Sequence, residues 1–328
     1  MYSHELTIPE GSAGRRLDQV LAELLPDYSR SRIKQWIVEG QVLLDGEVPE
    51  PRTLVAAGQR VAVAAAARIA REVAAQAVDF RILYEDEALI VVDKPAGLVV
   101  HPGAGNPDRT LENGLRQHAP SLASLPRSGL LHRLDKDTSG LVLVAKTLPA
   151  LTHLTRDLQA RDITREYRAI VNGCMTAGGT VDEPIGRHRA HRTRMTVHVG
   201  GRPAVTHYRV LGRLPVHTYV AVRLETGRTH QIRVHLAHIG FPIVGDPDYG
   251  GRPRLPPGAT PDTITVLRAF RRQALHAWGL RFEHPVSGEM LEFTTPIPDD
   301  MRGVLRVLAG ASADRLEKQP WPKPHGST

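Results

Sequence analysis

The polar stretch from residue 129 to residue 140 carries side chains that could perform acid–base or nucleophilic chemistry. Between its two terminal glycines lie a histidine, a threonine, a serine, two basic residues and the acids Asp135 and Asp137. The apolar run from 141 to 145 follows directly, and a short Val/Leu-rich run between turn residues is typical of a buried strand. Polar residues at the mouth of such a strand do not serve core packing, so some of them bind a ligand or fix a turn.

Three kinds of enzyme chemistry can be weighed against these residues. Metal-dependent hydrolysis would need a histidine cluster, for which the candidates are His230, His235 and His238. These histidines lack the adjacent acid of a zinc-protease helix. Acyl transfer through Ser139 lacks the Gly-x-Ser-x-Gly turn. The third chemistry uses Asp135 or Asp137 as nucleophile or base. The residues alone also allow these acids merely to shape the turn.

The composition permits an enzyme of two domains. The chain has 328 residues, of which 41% are hydrophobic and 23% charged, and this suffices for a sizeable core. The single cysteine, Cys174, excludes a disulfide framework. The N-terminus lacks the features of a signal peptide and no apolar run could span a membrane, so we expect a cytoplasmic protein. The net charge of +7 favours a polyanionic partner.

Residues 14 to 63 predict a small domain of two helices and a hairpin. Leucines and valines recur at helical spacing near its start, and Ser29 can cap a second helix from 30 to 39. The dipeptide Asp45-Gly46 between apolar runs is a hairpin signal. The second helix projects basic side chains away from its apolar face, namely Arg30, Arg32 and Lys34. This module resembles the S4 RNA-binding domain, although a basic face that is merely solvated would give the same pattern.

The Ala-rich segment from 64 to 79 predicts a linker, and residues 80 to 309 predict a second domain. Apolar and alternating runs predict its strands, which lie near 82–84, 88–93, 141–145, 166–171, 194–199, 204–211, 219–225, 275–282 and 291–294. Its helices are predicted near 111–118, 148–160, 229–239 and 299–308. The polar, proline-containing residues 310 to 328 predict a flexible tail.

A basic region lies between residues 185 and 233. It contains ten arginines and a single acid, Glu225, and arginine enrichment across the chain would not by itself remove the acids from one region. This asymmetry is typical of a surface that binds a phosphate backbone. Its densest part contributes the candidate RNA-binding residues Arg187, Arg189, Arg192 and Arg194. The alternative is a solvated basic edge that only deters strand pairing.

The polar stretch and two later blocks together resemble the RluA-type pseudouridine synthases. The three blocks are His-Arg-Leu-Asp-Lys-Asp-Thr-Ser-Gly-Leu at 132–141, Arg-Glu-Tyr-Arg-Ala-Ile-Val at 165–171, and Glu-Thr-Gly-Arg-Thr-His-Gln-Ile-Arg-Val-His-Leu-Ala-His at 225–238. Shorter blocks at 93–97, 245–250 and 272–277 also agree. The match spans about residues 80 to 300, and the S4-like module makes the RluD-like subgroup of that family the most similar.

The resemblance implies roles for individual residues. Asp135 is expected to be the catalytic aspartate, and Tyr167 the aromatic residue that stacks on the target base and moves a proton. Arg228 is expected to be the basic residue that pairs with Asp135, because a nearby cation favours an ionised carboxylate. Arg133 is expected either to contact a phosphate or to hold the turn. Residues 137 to 140 are expected to shape the turn that presents Asp135.

The chemistry implied by the resemblance is the isomerisation of uridine. A uridine inside folded RNA must be flipped into a pocket before it can react. The glycosidic bond to N1 is broken, uracil rotates, and C5 is joined to C1′, while the aspartate either attacks C1′ or opens an elimination path in the ribose. No redox change or hydrolysis occurs, so neither a metal nor a cofactor is expected.

The family also implies a fold and a partner. The expected fold is an α/β (or α+β) domain with a mixed, largely antiparallel bent sheet, flanking helices and a cleft across its middle, preceded by the S4-like domain. The expected partner is 23S ribosomal RNA or a precursor of the large ribosomal subunit, modified in the helix 69 loop. We expect a monomer that does not bind membranes. A non-catalytic RNA-binding or ribosome-assembly factor on the same scaffold is the alternative.

Overall fold

The chain divides into two units, Met1–Glu72 and Val73–Thr328. A computed structural model describes residues 2–25, 30–65, 73–103, 105–191 and 193–322. Among these described residues, no helix is long and apolar enough to cross a membrane.

The N-terminal unit packs two helices against a three-stranded sheet. Its elements are β1 (Tyr2–Thr7), α1 (Leu17–Leu24), α2 (Arg30–Val38), β2 (Val42–Leu44) and β3 (Arg60–Ala65). Leu17, Ile33 and Trp36 form part of its buried core, as the helical spacing predicts. Strand β1 pairs antiparallel with β3, so the unit includes a strand before residue 14 whose partner lies far along the chain. The predicted Ser29 cap lies outside the described residues.

The second unit is built on a nine-stranded sheet. The strands of this unit are β4 (Arg81–Glu85), β5 (Leu89–Lys94), β6 (Ser139–Ala145), β7 (Thr164–Asn172), β8 (Gly179–Asp182), β9 (Ile185–Arg187), β10 (Met195–Val197), β11 (Val205–Arg213), β12 (His217–Leu224), β13 (Leu275–Glu283) and β14 (Met290–Thr294). Eight of them follow the order β4-β5-β6-β13-β7-β12-β11-β8 in the sheet, and β14 pairs with β13. Among the described strands of this sheet, only β6 and β13 run parallel, which confirms the expected mixed, largely antiparallel sheet.

Helices cover both faces of this sheet because its central strands are apolar on both sides. In β6, Val142 packs into one buried cluster with helix α3 (Leu111–His118), whereas Leu143 packs into another with helix α4 (Leu148–Ala160). Successive residues of a strand face opposite sides. Strands β9 and β10 form a separate hairpin. The helices are α3 (Leu111–His118), α4 (Leu148–Ala160), α5 (Gln231–His238), α6 (Pro261–Ala269), α7 (Asp299–Ala309) and α8 (Ala313–Glu317).

Parts of the predicted linker and of the predicted flexible tail are packed where they are described. Residues 73 to 79 of the predicted linker lie against α3, where Asn113 Nδ2 donates to the carbonyl of Ala74 at 2.8 Å. In the predicted flexible tail, Leu316 of α8 is buried and Trp321 lies under the guanidinium of Arg223 at 4.2 Å. Their few apolar residues gave a weak sequence signal, but each has a partner in the second unit.

Candidate active site

The polar stretch folds into a tight turn that leads into β6. The backbone N–H of Thr138 donates to the carbonyl of Asp135 at 3.1 Å. Lys94, fully buried at the end of β5, ties this turn to its surroundings by donating to three backbone carbonyls, those of Pro95, Leu98 and Lys136. Burial lowers the pKa of Lys94 to about 7. The three carbonyl acceptors act in the opposite direction, because only the charged ammonium form has three hydrogens to donate to them.

Side chains from β13 and the residues before it hold the rest of the turn. Gln273 Nε2 donates to Thr138 Oγ1 at 3.0 Å, and Ser139 Oγ lies 2.9 Å from His276 Nδ1. All four side chains are buried. The position of Asp135 is therefore set by side chains on neighbouring strands rather than by the turn alone.

Tyr167 lies on β7, one strand away from this turn. Ala277 of β13 pairs with Gly140 on one side and with Tyr167 on the other, so the sheet brings the two blocks together. The Tyr167 side chain is 5% exposed, and burial raises the pKa of its phenol. Tyr167 and Asp135 both line a cleft of about 970 Å³, and the phenol is protonated at neutral pH.

Arg233 of helix α5 is the cation that pairs with Asp135. Its Nη1 lies 3.3 Å from Asp135 Oδ2. Its Nε and Nη2 donate to the two oxygens of Asp246 at 2.7 and 2.8 Å, and Nη2 also donates to Asp248 at 2.8 Å. These carboxylates outweigh the effect of burial and raise the pKa of Arg233. Arg233 is thus held by the loop after α5 while one of its nitrogens faces Asp135.

Arg228, which the sequence predicted to pair with Asp135, lines the same cleft but pairs elsewhere. Its Nε donates to the carbonyl of Pro203 at 3.1 Å, and burial together with Arg202 lowers its pKa. The predicted pairing of Arg228 with Asp135 is wrong. Arg233, which lies within α5, contacts Asp135, whereas Arg228 lies before that helix and bonds to Pro203. The acids at 246 and 248 were the available signal, since a buried arginine needs carboxylate partners.

His230, His235 and His238 were weighed from the sequence as metal ligands. In the described part of the chain, no group of three or more His, Cys, Asp or Glu side chains could hold a metal ion. His235 is buried, with Nδ1 2.9 Å from Thr206 Oγ1 and Nε2 2.9 Å from the carbonyl of Glu183. His230 faces the cleft, and its Nδ1 lies 3.0 Å from the hydroxyl of Tyr249. Both histidines therefore have ordinary hydrogen-bond partners.

The residues predicted to bind RNA differ in whether they are exposed and whether an acid already pairs with them. Arg30 donates to the buried Asp18 at 2.8 Å, so its charge is partly neutralised within the N-terminal unit. Arg194 lies 3.6 Å from Asp248. Five of the predicted residues are exposed, namely Arg30, Lys34, Arg133, Arg187 and Arg189. The side chains of Arg32 and Arg192 lie outside the described residues.

Two cleft residues were not singled out from the sequence. Arg165 and His132 line the cleft beside Tyr167, and each has a buried nitrogen that lacks a hydrogen-bond partner. A signal for Arg165 was present, because residues two apart in a strand share a face and Arg165 precedes Tyr167 by two positions.

Both units of the chain match known protein families, and relatives match nearly its whole length. Residues 88–238 match the family model described as RNA pseudouridylate synthase, and residues 15–61 match the S4 domain. Ribosomal large subunit pseudouridine synthase D of Escherichia coli (strain K12) is 54% identical over 316 residues, which cover 96% of this chain and 97% of that protein. The protein of the same name from Xanthomonas campestris is 52% identical over 313 residues, 95% of each chain.

A solved structure shows the same catalytic fold. Human RNA pseudouridylate synthase domain containing 4 superposes with a TM-score of 0.54 at 28% identity, covering 69% of this chain and 92% of that chain. The fold and the cleft define a pseudouridine synthase, an enzyme rather than the non-catalytic factor considered from the sequence. The chain belongs to the RNA pseudouridylate synthase family, with an S4 domain at its N-terminus.

Proposed function

We propose that this enzyme isomerises specific uridines of large-subunit ribosomal RNA, and that Asp135, Tyr167 and Arg233 carry the reaction. The observation that carries the assignment of residues is the Asp135–Arg233 pair at 3.3 Å in the cleft that Tyr167 also lines. The names of the relatives, which are 54% identical over nearly the whole chain, support the choice of RNA.

The target uridine must leave its stack in order to reach Asp135. Enzymes that react with a base inside folded nucleic acid flip it into a pocket, and the cleft of about 970 Å³ is large enough for a nucleotide. Tyr167 offers the flat face against which a flipped base can stack. Its raised pKa keeps the hydroxyl protonated, so it can donate a hydrogen bond and transfer a proton.

Asp135 provides the group that opens the glycosidic bond. Arg233 Nη1 lies 3.3 Å from Asp135 Oδ2 and orients the carboxylate, which attacks C1′ or removes a proton from the ribose. On either path the electron pair of the C1′–N1 bond leaves with uracil. The base then rotates and C5 bonds to C1′, while the bond between C1′ and Asp135 breaks or, on the elimination path, the proton taken from the ribose returns. C5 loses its proton and N1 gains one.

The basic surfaces bind the phosphate backbone of the RNA. Exposed arginines on the β9–β10 hairpin, such as Arg187 and Arg189, can neutralise phosphates without reading bases. Lys34 on α2 offers a further contact in the S4 domain. We also propose that the substrate is the helix 69 loop of 23S ribosomal RNA, as the family resemblance implies, and that the enzyme acts in the cytoplasm as a monomer.

A substrate comparison tests this function. The purified enzyme is incubated with 23S ribosomal RNA, with a fragment containing the helix 69 loop, and with unmodified transfer RNA, and pseudouridine is mapped in each. We expect modification of the 23S RNA and of the fragment. Modification confined to transfer RNA, or absent from all three, would overturn the substrate assignment.

A further inference from the structure

Arg165 is a nearly buried cation without a partner. It lies on β7 and is 6% exposed, and its Nε is buried without a hydrogen bond. Among the described residues, no acid forms a salt bridge with it. Two other buried arginines of the described chain do have carboxylate partners. Arg168 Nη1 lies 2.5 Å from Glu166 Oε1, and Arg233 is surrounded by carboxylates.

An unpaired buried charge is unfavourable for folding. Removing a guanidinium from water is repaid only when carboxylates or other acceptors surround it. A position that violates this rule is expected to serve a ligand. Arg165 lines the same cleft as Asp135 and Tyr167, so its missing partner can be supplied by what enters that cleft.

The surroundings of Arg165 favour negative charge. His132 Nε2 accepts the backbone N–H of Leu143 at 3.2 Å, so a neutral ring carries its proton on Nδ1, and this nitrogen is buried without a partner. Burial and the nearby Arg165 lower the pKa of His132 to about 3, which keeps the ring neutral. A Cβ at Gly227 would lie 3.1 Å from Arg165 Nη1, so the glycine leaves room for the guanidinium.

We propose that Arg165 contacts the uracil that leaves during cleavage of the glycosidic bond and stabilises its negative charge. This inference rests on the proposed function. When the C1′–N1 bond breaks, its electron pair departs with the base, and the charge spreads from N1 over the carbonyl oxygens of the ring. That charge is lost again when C5 bonds to C1′, so Arg165 acts on an intermediate and on the transition states beside it.

The base fits this position better than a backbone phosphate does. Arg165 shares its strand face with Tyr167, whose ring is proposed to stack on uracil, and both side chains are almost fully enclosed. Phosphates are strongly hydrated and are more readily met by exposed arginines such as Arg133. A preorganised cation aimed at charge that develops during the reaction is also an effective catalytic device.

The test replaces Arg165 by glutamine, methionine and lysine. The rate is the release of tritium from C5 of the target uridine in a single turnover, with enzyme in saturating excess over the RNA. We expect Arg165→Gln and Arg165→Met to lower this rate by about 100- to 1000-fold, the usual loss for one oxyanion-stabilising donor, and Arg165→Lys to retain more of it. The dissociation constant for the RNA should stay unchanged.

Melting temperatures separate this role from a structural one. Because Arg165 has no partner, Arg165→Met should leave the melting temperature unchanged or raise it. Arg281→Gln is the matched control, since Arg281 is exposed on β13 and pairs in the sheet with the residue next to Arg165. It removes the same charge and should alter neither rate nor melting temperature.

The outcomes distinguish the alternatives. A weaker RNA dissociation constant with an unchanged saturated rate would assign Arg165 to a phosphate and overturn the proposal. A lower melting temperature with a parallel loss of rate in all three variants would assign it a structural role. Activity of the unmutated enzyme in the same assay establishes the proposed function independently, so failure of the two proposals can be told apart.

Discussion

Replacing Arg233 by glutamine tests which arginine serves Asp135. Arg233 contacts three carboxylates, those of Asp135, Asp246 and Asp248, and the substitution leaves them together without their cation. Arg228→Gln removes only a hydrogen bond to a backbone carbonyl. We therefore expect Arg233→Gln to lose both stability and isomerisation, and Arg228→Gln to change each far less.

The contacts of Arg233 determine the size of these losses. The Asp246 side chain is fully buried and both its oxygens bond to Arg233 at 2.7 and 2.8 Å, and removing one partner of such a pair costs about 3 to 5 kcal/mol. Asp135 contributes less, because its side chain is 17% exposed and its contact is 3.3 Å long. Misplacing Asp135 by about 1 Å would lower the rate by about 100-fold.

Two measurements check this prediction. Urea unfolding gives the free energy of unfolding for both glutamine variants, and single-turnover isomerisation is measured at a temperature where each remains folded. Arg233→Lys is the companion variant, which keeps the charge but loses the paired bonds to Asp246, and should have an intermediate rate. Loss of the isomerisation rate in Arg228→Gln with a retained rate in Arg233→Gln would show that Arg228, and not Arg233, serves Asp135.

Two further predictions concern pH and salt. Burial lowers the pKa of His217 to about 4 and that of His132 and His276 to about 3, so below about pH 6.5 the unfolded chain binds protons that the folded chain does not. As the pH falls below 6.5, the free energy of unfolding should therefore decrease by up to about 1.4 kcal/mol per pH unit for each histidine. Urea unfolding at pH 6.5 and at pH 5 measures this decrease. An equal free energy of unfolding at the two pH values would contradict the prediction. Arg187→Gln and Arg189→Gln should each weaken RNA binding and lower the salt slope of log Kd by about one, and filter binding that shows an unchanged slope would exclude a phosphate contact.

The sequence located the site well where chemistry is concentrated in one block. The polar stretch before β6 and Tyr167 on β7 were identified from their motifs, and the cleft contains both. The prediction that Arg228 pairs with Asp135 failed, because Arg233 in the same block makes that contact instead. Their partners are decided by Asp246 and Asp248, which come from a later loop, and spacing along the chain does not record that contact.

The long-range parts of the fold were also beyond reach from the sequence. Strand periodicity predicts that β6, β7 and β13 exist, but not that β13 lies between the other two. The same limit explains why β1 was not predicted, because it is defined by its pairing with β3, which lies far along the chain. It also explains Arg165, because the absence of a partner becomes visible only when every neighbouring side chain has a position.

If the carboxylate of Asp135 opens the glycosidic bond, Asp135→Asn should abolish isomerisation. The amide keeps the size of the side chain, and Arg233 keeps Asp246 and Asp248 as partners, so the variant should fold and bind RNA normally. We predict no pseudouridine from this variant on large-subunit ribosomal RNA in a single-turnover assay, with an unchanged RNA dissociation constant. Undiminished isomerisation by Asp135→Asn would contradict the account.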